Sequence, residues 1–224
     1  ENDNDEDGDG HNIVKVEGTT TFNEPFHPEV KIGKLNISGG GTVYRLSDTT
    51  NQLFQADVKE WGQRYEYNHH SEDSVYVIDF NMKKNSHFNW NNNHTNSATF
   101  RLNSAPIWDI DVQTGATKLD FDLSKFKLRN LKISGGAASF AVKLGEPLTA
   151  TRLDISTGVS EVKINIPRDA ACHIETDSGL SSNNFDGFNS TGDNNYETPG
   201  FNAAANKIYI NISGGISDFK VNRY

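Results

Sequence analysis

Apolar and polar residues alternate along this chain in short runs, which predict β-strands with one buried face. The clearest run is LKISGGAASFAVKL, residues 131–144, in which Leu131 and Ile133 lie on one face. After two glycines, Phe140 and Val142 return to that same face. Period-two alternation is typical of strands that pack on one side only. The pattern therefore predicts two short strands joined by a sharp glycine corner.

The same pattern occurs at several places, so the chain contains an internal repeat. Its copies begin LNISGG, IDVQTG, LKISGG, LDISTG, IETDSG and INISGG. The glycines at the common position are Gly40, Gly115, Gly136, Gly158, Gly179 and Gly215. Successive steps between these glycines are 75, 21, 22, 21 and 36 residues. A nearly constant step of this size indicates stacked supersecondary units, and the two long steps indicate degenerate copies and an insertion.

A unit this short cannot bury its own apolar face, so we expect successive units to stack in register around a continuous core. Glycine at each corner would allow a positive φ, and its missing Cβ would let one corner rest on the next. The predicted class is all-β, a solenoid with rungs of about 21–22 residues. Asn183 replaces an inward apolar residue and therefore predicts a weak or irregular rung.

The pattern also divides the chain. Residues 1–12 are acidic and contain glycine, so we interpret them as a disordered linker. Residues 13–224 are interpreted as one solenoid domain, with irregular rungs over 13–103 and regular repeats over 104–224. Degenerate copies in the irregular part are LFQADV, VYVIDF and ATFRL.

Polar stretches between the strands are expected to form long loops, where binding residues often lie on a rigid scaffold. They are YEYNHHSED at 65–73, NSHFNWNNNHTNS at 85–97, and the excursion at 185–207. Helical signal is confined to NAAANK at 202–207, as one turn or a loop, and DVKEWGQRYE at 57–66.

The amino-acid composition excludes several classes of partner and structure. The net charge is −9 and no Lys/Arg cluster stands out, so nucleic acid is not an expected partner. The single cysteine, Cys172, excludes an intrachain disulfide framework and is expected to be a small buried hydrophobe. The apolar runs are too short to form a membrane-spanning helix.

The order of the motifs resembles the extracytoplasmic domain of cell-wall-active-antibiotics response proteins, the LiaF-like or toast-rack family. The matching run starts at SAPIWDIDVQTGATKLDFDLSKF and continues through LDISTGVSEVKINIPRDAACHIETDSGL to KIYINISGGISDFKV. It covers most of residues 104–224, and residues 35–58 resemble the upstream portion of the family more loosely.

This resemblance implies a single-stranded, right-handed β-helix-like solenoid displayed outside the cytoplasm. The implied anchor is a lipoprotein modification or an upstream transmembrane segment, and the implied partner is an envelope protein or cell-wall component. Better-known relatives act in cell-envelope stress signalling through membrane segments, which this chain does not contain. Similar solenoids are also named as adhesin heads, so an adhesin-like protein that binds a glycan or another surface partner is the alternative.

Two sets of loop residues are candidates for binding. The aromatic side chains could stack on sugars or anchor the loops to the core, and they are Trp61, Tyr65, Tyr67 and Trp90. The imidazoles of two neighbouring loops could meet a transition metal, but their spacing gives no tetrahedral pattern and favours solvated loop histidines instead. They are His69, His70, His87 and His94. No cofactor is expected.

Catalysis is not expected. A calcium loop beginning at Asp3 lacks its closing glutamate, because Val14 stands at the twelfth position. Four aspartates on repeat strands could suggest a glycosidase pair, but their outward positions favour a solvated face, and they are Asp109, Asp111, Asp120 and Asp122. The sequence therefore predicts a non-enzymatic binding module of the bacterial envelope, with cell-wall stress as its possible signal.

Overall fold

The computed structural model describes residues 12–16, 18–59, 65–83, 96–178 and 182–224. These residues form seventeen β-strands and one short 3-10 helix, Phe201–Ala203. The strands are β1 Asn12–Val16, β2 Thr19–Glu24, β3 Ile32–Gly39, β4 Thr42–Thr49, β5 Phe54–Lys59, β6 Tyr65–Glu72, β7 Val75–Met82, β8 Asn96–Leu102, β9 Ile107–Thr114, β10 Thr117–Leu123, β11 Lys127–Leu144, β12 Ala150–Ile166, β13 Ala171–Ser178, β14 Ser182–Phe185, β15 Asn189–Gly192, β16 Asn195–Glu197 and β17 Lys207–Arg223.

Alternating burial in the long strands explains the repeat. Along β12, Leu153 and Ile155 are buried before the corner, and Val162 and Ile164 are buried after it. Their neighbours in sequence face solvent, as a strand with a period of two requires. The all-β class and the solenoid of 21–22-residue turns are confirmed.

Each turn of the solenoid contributes one strand to each of two facing walls. The first wall contains, in spatial order, β7, β3, β9, the first halves of β11, β12 and β17, and β13. The second wall contains β8, β4, β10, the second halves of the same three long strands, and β14. All these neighbours are parallel. The inner faces meet in the core, where the rings of Phe80 and Phe100 pack edge to face at 5.3 Å.

The stacking order departs from the order of the sequence at both ends. β17 lies between β12 and β13, so the last repeat is inserted before the fifth. At the other end, β3 lies between β7 and β9, and β4 lies between β8 and β10. Only the turns built from β9 to β12 stack in the predicted succession.

The glycine corners form a continuous ridge. A Cβ at Gly158 would lie 3.4 Å from the carbonyl oxygen of Gly136, and one at Gly215 would lie 3.2 Å from that of Gly158. At the other end, a Cβ on Gly40 would lie 3.3 Å from the amide nitrogen of Gly115. Close approach therefore favours glycine at Gly40 and Gly215, whereas a Cβ at Gly115 or Gly136 would lie 3.9 or 3.8 Å from its nearest neighbour, an ordinary contact distance. Gly179 lies outside the described residues.

The positive φ expected at the corners is wrong for most of them. Only the first corner shows it, beside Gly40, where Gly39 has φ 155° and Gly41 has φ 64°. At the last corner the carbonyl oxygen of Gly158 lies close enough to favour glycine at Gly215, and the positive φ that glycine allows is not used there.

Antiparallel strands cover both ends of the solenoid. β6 pairs with β7, and β5, β2 and β1 extend the second wall beyond β8. At the opposite end, β16 pairs with β13 and β15 pairs with β16. Asn183 lies exposed in the short end strand β14, which agrees with the weak rung predicted there.

Two local predictions are wrong. Residues 57–59 belong to β5 and residues 65–66 begin β6, so the helix expected over 57–66 does not form in the described part of that range. The stretch 65–73 is mostly a strand, β6, instead of a long loop. The other helical candidate, residues 202–207, overlaps the 3-10 helix at residues 202 and 203. Asn12, expected in the linker, belongs to β1, while residues 1–11 lie outside the described residues.

Candidate functional site

Parallel stacking brings equivalent outward residues of different repeats side by side. On the outer face of the first wall, Lys132, Asp154, Asn211 and Glu175 are in register on four neighbouring strands. Two residues further along each strand, Ser134, Ser156, Ser213 and Asp177 form a second row. The insertion of β17 completes both rows, because it joins β12 to β13.

These rows border a shallow depression of about 270 Å³, which we call the outer groove. It is lined by Lys132, Ile133, Asp154, Ile155, Ser156, Glu175, Asp177, Asn211, Ile212 and Ser213. The Asn211 side-chain nitrogen donates to Asp154 Oδ1 at 2.7 Å, which fixes the middle of the row. Because three carboxylates face one lysine, the groove has a negative character.

An aromatic border runs along one side of the outer groove. Tyr209 is half-buried and lies between Arg152 and His173 in register. The Arg152 guanidinium lies 5.1 Å from the centre of the Tyr209 ring, a cation–π distance. His173 is held by Glu197 at 3.0 Å from Nδ1 to Oε1, and Phe201 packs edge-on against Tyr209 at 5.7 Å.

Together the groove and its border offer hydroxyl, amide and carboxylate groups beside partly exposed rings. Such surfaces bind polyhydroxylated ligands, because polar groups satisfy hydroxyls while rings cover the apolar faces of sugars. Sequence reasoning missed Tyr209 and His173. The sequence could have indicated them, because they occupy equivalent positions in two repeats: Tyr209 is two residues before Asn211, and His173 is two residues before Glu175.

The residues predicted in the loops are not brought together as a surface site within the described residues. Trp61, Trp90, His87 and His94 lie outside them. Tyr65 is buried, its ring stacks on Phe80 at 4.7 Å, and its hydroxyl lies 2.7 Å from Thr42 Oγ1. The remaining tryptophan, Trp108, is fully buried and donates to the carbonyl oxygen of Asn103.

The two adjacent histidines of β6 point to opposite sides of the strand. His70 is exposed on the outer face, whereas His69 turns inward. A single metal ion would not reach both from adjacent positions of an extended strand. Among the described residues, no group of three or more His, Cys, Asp or Glu side chains is arranged to hold a metal ion.

Inward-facing His69 belongs to a polar group that we call the Glu24 cluster, composed of Glu24, Tyr67, His69 and Tyr76. Glu24 is only 3% exposed. Its Oε2 accepts a hydrogen bond from the Tyr67 hydroxyl, and its Oε1 accepts one from the Tyr76 hydroxyl. His69 Nδ1 is hydrogen-bonded to the Tyr76 oxygen and lies 3.5 Å from Glu24 Oε1.

Burial raises the pKa of both phenols of this cluster well above the ordinary tyrosine value, and the Glu24 carboxylate beside them raises each pKa further. Both phenols therefore stay protonated and act as donors to Glu24. Sequence reasoning missed Glu24 and Tyr76. Glu24 follows Thr20 and Phe22 on the inward side of an alternating strand, where a carboxylate is anomalous.

Two of the four outward aspartates, Asp109 and Asp122, accept structural hydrogen bonds. Asp109 accepts hydrogen bonds from Arg129 Nε at 3.0 Å and from the Asn130 side chain at 2.7 Å. Burial by itself would raise the Asp109 pKa, but these two donors outweigh it and hold the pKa below its ordinary value. Asp122 accepts from the backbone amide of Ser124 at 3.0 Å. Asp109 therefore does not resemble a general acid with a raised pKa.

Cys172 lies fully buried beneath the first wall, in agreement with the small buried hydrophobe expected there. Burial raises the pKa of its thiol, so the reactive thiolate form is disfavoured. No helix among the described residues has the length and apolar character needed to span a membrane.

Comparison with known structures supports this architecture. A proposed cell adhesion protein from Clostridium sporogenes superposes with a TM-score of 0.83 at 21% identity, covering 92% of this chain and 100% of that one. A proposed adhesin from Bacteroides fragilis gives a TM-score of 0.34 at 10% identity over 91% and 95% of the two chains, a likeness too weak to bear on the fold. No curated protein matches the chain.

The sequence profile described as the N-terminal domain of toast_rack, DUF2154, matches residues 4–165. This match confirms the toast-rack resemblance, although it lies nearer the N-terminus than residues 104–224, where the motifs are clearest. It includes the ridge from Gly40 to Gly158 and the strands that pack on it. The chain therefore belongs to the family of toast_rack N-terminal domains.

Proposed function

We propose that this chain is a non-catalytic binding module displayed outside the cytoplasm, and that it binds surface carbohydrate along the outer groove. The observation that carries the proposal is the juxtaposition of Tyr209 and His173 with the polar row of Asp154, Asn211 and Glu175. The parallel rungs hold these side chains on a rigid frame, so little ordering is needed when a ligand binds.

Fold likeness gives independent support. The Clostridium sporogenes protein, which carries the same fold across its whole length, is described as a proposed cell adhesion protein. At 21% identity this likeness supports the scaffold, and the ligand class is inferred from the groove itself.

The charge of the outer groove restricts the class of glycan that it would accept. The lining of the groove contains three carboxylates, of Asp154, Glu175 and Asp177, and one lysine, Lys132, while Arg152 lies at its border. Neutral glycans or those with free amino groups would be accepted, whereas phosphate-rich wall polymers would be repelled. Binding of amino sugars should weaken as salt is added, because exposed charges are screened.

A glycan array with the purified chain tests this function. We expect binding to neutral or amino-sugar oligomers, and Tyr209→Ala should weaken it by about tenfold through loss of ring stacking. Lys163→Ala, an exposed change on the second wall, is the matched control and should bind normally. A blank array at high protein concentration, or equal weakening by both variants, would contradict the proposal.

The proposal extends to location and partner. We infer an envelope-attached module, held by a lipid or an upstream membrane segment, whose partner is a cell-wall component. Regulation of a cell-wall stress response would further require that groove occupancy be passed to a membrane protein. Cross-linking in membranes, with the groove variant as comparison, tests that extension, and recovery of no envelope protein would contradict it.

A further inference from the structure

The Glu24 cluster gathers four side chains of types that bind metal ions, namely a carboxylate, two phenols and an imidazole. One buried carboxylate is contacted by two phenols, one on each oxygen, and by an imidazole. An apolar side chain in place of Glu24 would avoid the cost of burying a carboxylate in the core. The donors also come from three different strands, since Glu24 ends β2, Tyr67 and His69 lie on β6, and Tyr76 lies on β7.

We propose that the Glu24 cluster binds one ferric ion, with the Glu24 carboxylate, the Tyr67 and Tyr76 phenolates and the His69 imidazole as ligands. The phenols lie beside different carboxylate oxygens, and His69 Nδ1 lies 3.5 Å from Oε1. An ion bound by both carboxylate oxygens would therefore have the two phenol oxygens within reach as further ligands, one beside each carboxylate oxygen.

Charge balance selects a trivalent ion. A carboxylate and two phenolates carry three negative charges, which ferric iron neutralises completely. A divalent ion would leave a net negative charge in a buried site, which is costly. Phenolate and carboxylate oxygens are hard ligands suited to ferric iron, and tyrosine and histidine both serve as iron ligands in proteins.

Binding displaces the two phenol protons, which pass to solvent. Because binding releases these protons, iron affinity should rise with pH. His69 provides the route in, because its side chain is 28% exposed while Glu24 is almost fully covered. Phe22 and Phe54 pack on the Tyr67 ring at 5.8 and 5.9 Å and shield the site from water.

Titration of the full chain with ferric nitrilotriacetate tests the site, because iron–phenolate bonds give a visible charge-transfer band. We expect one ion per chain, a visible band, and a higher thermal midpoint with iron than with zinc. Tyr67→Phe and Tyr76→Phe keep their rings in the core, and each should weaken binding at least ~10-fold. The double variant should lose the band.

Matched controls separate the site from general effects. Tyr44→Phe removes a buried hydroxyl whose neighbour is Tyr65, 3.3 Å away, and should leave the band intact. His70→Ala, on the outward face of β6, should also leave it intact, whereas His69→Ala should shift it. No band with the wild-type chain, a band that survives the double variant, or greater stabilisation by zinc would overturn the proposal.

Discussion

Individual polar residues on the walls act as clamps between neighbouring strands. Three side-chain amides donate to a carboxylate on the adjacent strand, each at 2.7 Å: Asn36 to Asp79, Asn130 to Asp109, and Asn211 to Asp154. Hydrogen bonds to charged acceptors contribute more than neutral ones. The outward position of Asp109, which could suggest catalysis, is therefore explained by stacking, and the clamp between Asn211 and Asp154 also borders the outer groove.

Acid should weaken the Asp109 clamp. The pKa of Asp109 in the folded protein lies below its value in the unfolded chain. The stabilisation that the ionised carboxylate gives to the fold is therefore complete above the unfolded pKa, and it is lost as pH falls through the folded pKa. Asp109→Asn should cost about 1 kcal/mol at neutral pH, a modest figure because Arg129 is 41% exposed to screening solvent.

Urea denaturation of both proteins from neutral pH down to about pH 2.5 measures this effect, because the loss begins near the unfolded aspartate pKa of about 3.9 and continues below it. The difference in unfolding free energy should be nearly constant down to about pH 5 and should shrink at lower pH. A difference that stays constant, or is absent at neutral pH, would contradict the clamp.

At the scale of the elements, successive turns are spaced so closely that side chains do not fit at certain positions. Gly145 follows β11, and a Cβ there would lie 2.5 Å from the backbone carbonyl oxygen of Ser124 in the turn below. Gly33 is similar, since a Cβ would lie 2.5 Å from the Trp108 ring on the neighbouring strand. Glycine is thus part of the rung spacing at the corners and also at the returns.

Gly145→Ala should destabilise the fold by about 1–3 kcal/mol, because a backbone oxygen cannot move aside as a flexible side chain could. Gly192→Ala is the matched control, as a Cβ there would meet nothing within 4 Å. Chemical denaturation of both variants measures the difference. Equal stability of the two would show that the turns are looser than described.

The elements were predictable where inward residues repeat. Alternation alone predicted both halves of β12, through the buried residues Leu153, Ile155, Val162 and Ile164. The stretch 65–72 was not recognised as a strand, because its outward residues are polar and its inward ones include His69. Hydrophobic alternation cannot detect a strand whose buried face holds a polar cluster, so the inward positions of Tyr67 and His69 were not foreseen, and Glu24 and Tyr76 were missed.

For the whole molecule, the decisive feature is that spatial order differs from sequence order. Every repeat carries similar inward residues and a glycine corner, so the pattern identifies rungs but not their neighbours. Insertion of β17 between β12 and β13 brings Asn211 beside both Asp154 and Glu175. The candidate groove depends on this insertion, and sequence reasoning that assumed successive stacking could not assemble it.

Disulfide trapping tests that order most directly. Asp154 and Asn211 are in register on adjacent strands, so their Cα atoms are about 4.8 Å apart, a distance that a disulfide can span. Asp154 and Glu175 are two strands apart, so their Cα atoms are separated by about 9.6 Å, which is too far. Buried Cys172 should not compete. On mild oxidation, we expect the Asp154→Cys/Asn211→Cys variant to form an intramolecular disulfide, detected by mass spectrometry, and the Asp154→Cys/Glu175→Cys variant to stay reduced. Efficient bridging of the second pair, with none in the first, would contradict the insertion of β17 and the groove built on it.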